Sequence, residues 1–348
     1  MEIGRRDALA AMAAALAAML PVRANAQLNE TEALDLSFVH PDLRSAVETM
    51  RDSFGGATHL AVEDIMALRK SASVDPDPPM AHIEVVRRSI AGMPGHPPVT
   101  IYIVNARAGR KRGGIVYMHG GGFVLGRAGE DIGTCQELAA ALDCAVVSVD
   151  YRLAPEARYT ASVEDNYAAL RWVYRNADDL GIEPGRIAVM GESAGGGHAA
   201  LLALAARDRR EVPVAFQCLV YPMLDDRTGS TRLVPSPIGS LVWTAEANRF
   251  GWRSLLGHEP GNPDLTAGVP ARQETLSDLP PAWIGVGSID LFVQEDIAYA
   301  ERLIAAAIPT ELTVVPGAYH AFQHFAPDTR VAKAFKASML TSLQAALA

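Results

Sequence analysis

Eight short, β-branched-rich runs alternate with longer helix-forming runs along most of this chain, and few folds satisfy that rhythm. The strand-like runs fall at 82–86, 99–104, 114–118, 145–149, 187–190, 216–221, 283–286 and 312–315. Helical spacing occupies 131–142, 163–176, 194–206, 294–307 and 332–347. Several strand runs are apolar throughout, as expected of strands covered on both faces. Strands alternating with helices predict an α/β fold, with a mostly parallel central sheet and helices on both sides. No internal repeat at solenoid or propeller periods competes with it.

Two stretches do not follow the rhythm. Between 27 and 80, Leu43, Val47 and Met50 recur at helical steps, and Leu60, Ile65 and Leu68 do so more loosely. Consecutive prolines, Pro78 and Pro79, close that region because they leave helical geometry. The second stretch, about 225–279, is rich in Pro, Gly and Trp and reads as an insertion covering one end of the sheet. The expected organisation is therefore N-terminal cap helices at 27–80, then a domain at 81–348 carrying the cap insertion.

The first 26 residues differ again. Arg5 and Arg6 precede an uncharged, Ala-rich run from Ala8 to Leu20, and Ala24-Asn25-Ala26 places small residues two apart. Charged start, apolar run and small-residue cleavage site make an export signal. The paired arginines resemble a twin-arginine leader, which would send the protein to the periplasm or outside the cell. The run is too short for a stable membrane span, which takes about 20 residues. An Ala-rich helix packed on a cytoplasmic protein is the alternative.

Composition narrows the function classes. With 49% hydrophobic residues in 348, the chain is neither disordered nor collagen-like. A net charge of −9 argues against a nucleic-acid partner. The basic cluster Arg107, Arg110, Lys111 and Arg112 reads as a solvated hairpin loop between two strands. Three cysteines cannot form a disulfide framework and read as core residues.

Two glycine-rich segments carry the chemistry. Gly191-Glu192-Ser193-Ala194-Gly195 follows one strand run and opens an Ala/Leu-rich helix. This is G-x-S-x-G in the strand–turn–helix setting that lifts a serine Oγ clear of a sheet. The free N–H groups of the following helix face the place where negative charge develops. His119-Gly120-Gly121-Gly122-Phe123 follows another strand run. Three glycines in a row suit a loop whose backbone N–H groups approach a ligand closely.

A serine nucleophile needs a base and a third group to orient it. His320 lies just past the strand run at 312–315, and Asp290 follows the run at 283–286. Strand-end loops are where open α/β sheets place their ligands. His324, four residues on, is a competitor; His258 lies in the insertion, and His198 is tethered too closely to Ser193. Glu295 and Asp296 read as helix-start acids. No Cys/His cluster suggests a metal. No glycine pattern suggests a dinucleotide.

The joint pattern resembles the hormone-sensitive-lipase-like family of α/β-hydrolases, the bacterial family IV esterases. The carriers are HGGGF at 119–123, DYRLAPE at 150–156, GESAG at 191–195 and the Asp290/His320 pair. The resemblance implies an α/β-hydrolase fold with a helical cap. It implies Ser193 as nucleophile, Asp290 as acid and His320 as base, with an oxyanion hole from the N–H groups of Gly121, Gly122 and Ala194. Two departures stand out: Glu192 where many members have Asp, and Leu291-Phe292-Val293-Gln294 where many have Pro-Leu-x-Asp. Asp150, Arg152 and Glu156 read as turn-stabilising charges.

The expected activity is hydrolysis of small, short-acyl esters through an acyl-enzyme, with a small-molecule ester as partner and no cofactor. Trp243, Phe250 and Trp252 are candidates for pocket walls, with ordinary cap core as the competing reading. An amidase, peptidase or lactonase on the same fold is one alternative. A non-catalytic small-molecule receptor is the other. The assembly, a homodimer included, is left open by the sequence.

Overall fold

A computed structural model describes residues 35–53, 57–59, 61–71 and 78–348. The leader-like residues 1–26 lie outside the described residues, as does Leu60. The helices are α1 (Arg44–Ser53), α2 (Val62–Ser71), α3 (Ile132–Leu142), α4 (Tyr159–Arg175), α5 (Ala177–Leu180), α6 (Ala194–Arg209), α7 (Ala245–Leu256), α8 (Val293–Ala305), α9 (Phe322–Phe325) and α10 (Arg330–Leu347). The strands are β1 (Val85–Ile90), β2 (Val99–Val104), β3 (Arg112–Met118), β4 (Ala145–Asp150), β5 (Ile182–Glu192), β6 (Phe216–Val220), β7 (Ala282–Gly287) and β8 (Thr310–Val315).

The strands form one eight-stranded sheet in the order β1-β2-β4-β3-β5-β6-β7-β8. β2 pairs antiparallel with both β1 and β4, and every later pairing is parallel. Side chains alternate across the sheet, as strand geometry requires. On β3, Val116 and Met118 join the core under α4, α6 and α8, while Ile115 and Tyr117 join the core under α3 and α10. All three cysteines are buried and free.

Two sequence expectations are corrected. β1 lies at Val85–Ile90, not 82–86. It is an edge strand with Arg87 and Arg88 exposed, so its partner β2 and not apolar content defines it. The segment 80–83 is held instead by Gln136, whose Nε2 donates to the carbonyls of Met80 and Ile83. The basic cluster is not a hairpin loop, because β4 separates β2 from β3 in the sheet. Nor is it all solvated: Arg112 is buried, donates to the Asn105 carbonyl at 2.8 Å and pairs with Asp143 at 3.2 Å.

The two stretches outside the rhythm meet each other. Val47 and Met50 of α1, with Leu43 in the turn just before it, are buried in the core that also holds Tyr319 and Phe322. Ile65 of α2 enters a third apolar cluster with Phe123, Trp243, Trp252, Leu291 and Phe292. Thr58 accepts from the Val242 amide at 2.8 Å. The 225–279 stretch, which contributes α7, is pinned at its start by charge. Asp225 pairs with Arg227 and Arg232, Asp226 with Arg272, and Glu295 accepts from the amides of Leu224 and Asp225.

Candidate active site

β5 runs through the middle of the sheet, paired with β3 and β6, and Ser193 stands one residue past its C-terminal end. The turn into α6 is strained. Ser193 has φ 56° and ψ −120°, a left-handed value that L side chains rarely adopt. Its amide donates to the Val220 carbonyl, and its carbonyl accepts from Gly197 and Met223. Only glycine fits beside it. A Cβ on Gly195 would sit 2.1 Å from the Met118 carbonyl oxygen.

The loops after β7 and β8 bring two more groups to the same sheet end. His320 Nε2 accepts from the Ser193 hydroxyl at 3.0 Å, and its Nδ1–H donates to Asp290 Oδ2 at 2.8 Å. All three residues are buried, which strengthens both bonds, the one to the Asp290 carboxylate being charge-assisted. The second Asp290 oxygen accepts from the Phe292 amide at 3.0 Å. The turn is thus held without the proline that many relatives of the motif carry there.

The glycine loop packs against this group. Gly121 and Gly122 have φ of 118° and 59°. The Gly121 carbonyl accepts from Val124 and Leu125, so the peptide is turned with its N–H away from the loop's own bonds. Among the described residues, no group accepts from the N–H of Gly121, Gly122 or Ala194. α7 lies directly on this loop, since a Cβ on Gly251 would meet the Gly122 oxygen at 2.5 Å. Trp243 closes the other approach: its Cη2 would be 2.1 Å from a Gly122 Cβ.

The three aromatic candidates separate. Trp243 borders the glycine loop, and half-buried Phe250 packs against the same cluster. Trp252 is a correction. It is wholly enclosed and packs edge-on to Phe123 at 5.0 Å, so it is core and lines no pocket.

The remaining histidines do not compete for Ser193. His198 is buried against Phe123 and Tyr151, and burial with His119 nearby pushes it down to about 3. His119 stacks on Tyr151 at 4.1 Å, and burial pushes it down to about 4. Both are therefore neutral braces under the glycine loop. His258 is bonded to the Glu259 carbonyl in the insertion. His324 donates from Nε2 to Glu192 Oε2 and is held there. Sequence reasoning did not reach that contact, although Glu192 and the four-residue step from His320 to His324 were both in view.

The acids read as structural behave so. Asp150 accepts from the Ala128 amide, Arg152 makes a two-pronged bridge to Asp165, and Glu156 pairs with Arg69 of α2. Glu295 and Asp296 are buried, and desolvation pushes both well above the usual carboxylate range. No cluster of metal-binding side chains occurs among the described residues, and none of their helices is long and apolar enough to cross a membrane.

A family model described as alpha/beta hydrolase fold matches residues 115–324. The esterase LipI of Mycobacterium tuberculosis is 40% identical over 215 residues, 61% of this chain and 66% of that protein. The carboxylic ester hydrolase LipN of the same organism is 34% identical over 306 residues, 83% of this chain and 78% of that protein. Among solved structures, a bacterial heroin esterase superposes with a TM-score of 0.79 at 32% identity, covering 90% of this chain and 99% of that one. The esterase LipW from Mycobacterium marinum does so with 0.76 at 35%, covering 91% and 98%. With strand order, strained serine turn and these likenesses together, the chain belongs to the hormone-sensitive-lipase-like family of α/β-hydrolase esterases.

Proposed function

We propose that the protein is a serine carboxylic-ester hydrolase for small, short-acyl esters, with Ser193 as nucleophile, His320 as base and Asp290 as orienting acid. The observation that carries this is the unbroken chain of hydrogen bonds from Ser193 through His320 to Asp290. His320 Nε2 takes the Ser193 proton as Oγ attacks the ester carbonyl. Asp290 holds the tautomer with hydrogen on Nδ1 and stabilises the imidazolium that forms. The free N–H groups of Gly121, Gly122 and Ala194 receive the oxyanion, as oxyanion holes do. His320 then gives its proton to the leaving alcohol, and water repeats the sequence on the acyl-enzyme.

The walls support the short-acyl reading. Trp243 fills the space beside Gly122, and the stretch around α2 and α7 acts as a two-part cap over it. A panel of p-nitrophenyl esters tests this. Turnover is expected to be highest for acetyl and butyryl esters and to fall steeply toward long chains. A rate that climbs with chain length overturns the short-acyl reading. Faster turnover of matched amides or lactones favours the alternative chemistries. A serine-directed phosphonate is expected to label Ser193 alone. Residues 1–26 support export of the enzyme by a twin-arginine-like route.

The glycine loop gives a sharper test. Gly122→Ala places a Cβ into the Trp243 ring at a backbone angle that disfavours any side chain. Displacing one donor costs about 10²–10³ in kcat. We expect that loss in kcat per phosphonate-titrated site, accompanied by a lower melting temperature, measured by steady-state hydrolysis and thermal unfolding. Unchanged kcat would remove Gly122 from the oxyanion site.

A further inference from the structure

Behind the nucleophile lies a polar cluster that this reaction scheme leaves unused. Glu192 directly precedes Ser193, and its Oε2 accepts from the Tyr221 hydroxyl at 2.7 Å and from His324 Nε2–H. Gln323 Nε2 donates to the Tyr221 oxygen. The Tyr221 ring meets the His320 ring edge-on at 4.8 Å, and Phe292 meets it at 5.2 Å. The His320 imidazole is therefore gripped by two aromatic rings, one of which is anchored on Glu192.

A carboxylate in this position needs compensation. The Glu192 side chain is only 13% exposed, and an unpaired buried charge costs several kcal/mol. Burial alone would raise Glu192, but the charge and hydrogen bond of His324, with Tyr221 and His320, hold it below its ordinary value. Around His324, burial and Lys336 of α10 disfavour the protonated form, while Glu192 and Asp131 favour it; the outcome is a rise to about 9. Asp131 itself is pushed up to about 7, by burial and by Glu192. Near neutral pH the pair is thus Glu192 anionic and His324 cationic.

We propose that His324 is a positioning residue of the reaction: it neutralises Glu192 and, through the Glu192–Tyr221 bond, keeps the His320 imidazole aligned on Ser193. The inference rests on the ester-hydrolase reading above. Without the His324 proton, Glu192 remains as an uncompensated carboxylate beside the site where the oxyanion forms. Its field opposes the growing negative charge, and it turns toward other donors, which frees the Tyr221 ring. Both effects weigh on the transition state and not on substrate binding. Because folded His324 keeps its proton up to about 9, the pair's contribution to the reaction is in place at neutral pH and is lost as pH rises through about 9.

The test compares wild type, His324→Gln, Glu192→Gln and the double variant, with phosphonate burst titration to count competent sites. His324→Gln is expected to lower kcat per titrated site on the order of 10²-fold, the scale of a small misplacement of reacting groups, with KM nearly unchanged. The wild-type decline near pH 9 is expected to vanish from its profile. The double variant is expected to recover most of the lost kcat, because no unpaired charge remains and coupled neighbours are non-additive. Wild-type kcat per site and an unaltered alkaline limb in His324→Gln overturn the inference, as does a double variant no better than the single. If His324→Gln does not fold, a wild-type kcat that stays level through pH 9 overturns it. A wild type that neither turns over esters nor takes the phosphonate overturns the parent reading and this inference with it. Intact wild-type activity with an indifferent His324 overturns this inference alone.

Discussion

Ser193→Ala is expected to lower kcat for an acetyl ester by a factor on the order of 10⁶, because nucleophile and base act as one unit. The geometry explains the size. Ser193 Oγ is the one atom of its turn that the strained backbone aims at His320 Nε2. Removing it leaves an imidazole with no proton to take and an oxyanion site with no attacking atom to serve. The methyl of alanine fits where the Cβ already stands, so the fold is expected to survive. Steady-state hydrolysis with phosphonate labelling and thermal unfolding checks this. Turnover close to wild type in a folded variant would move the nucleophile elsewhere.

Asp290→Asn is expected to cost on the order of 10⁴ in kcat with little loss of structure, the scale for a base held in the wrong tautomer. One Asp290 oxygen is already fixed by the Phe292 amide, so the other must face His320 Nδ1. In asparagine the oxygen keeps the Phe292 bond and the NH2 group turns toward Nδ1. Two donors then meet, and the imidazole answers by moving its hydrogen to Nε2, where Ser193 needs an acceptor. Nearby Asp296 is no substitute, since neither of its carboxyl oxygens bonds to His320. Retention of activity in Asp290→Asn, at unchanged melting temperature, would show that orientation comes from the aromatic grip alone.

Much of this was legible because the relevant signals are local. Most of the apolar strand runs are set by burial on both faces, and seven of the eight fell where the sheet has them, the edge strand β8 included. G-x-S-x-G between strand and helix located Ser193, and the loops after two later strands located Asp290 and His320. What escaped was non-local. β1 is polar because it lies at an edge, so no apolar pattern marked it. α7 was hidden in a Pro- and Gly-rich stretch, although Thr244 caps it by accepting from Ala247 and Gly257 ends it. Arg112 looked like a surface charge until the sheet order placed Asn105 and Asp143 around it. The Glu192–His324 pair spans 132 positions and rests on where α9 packs against α1 and α10. Trp252 could not be told from Trp243 by spacing, since only the fold shows which of the two borders the glycine loop.

The way α2 and α7 lie across the glycine loop has a consequence for how such a protein changes. The bond-breaking groups hang from the ends of β5, β7 and β8, while the chain that shapes the space above them comes from 57–71 and 225–279. Those two stretches bind the rest of the domain through Ile65, the Arg69–Glu156 pair and the Asp225 amide on Glu295, and carry none of the proton traffic. On the proposed reading, chemistry and selectivity therefore sit on separate lengths of polypeptide. Selection for a new ester can accumulate in the overlying segments while the strand ends stay untouched.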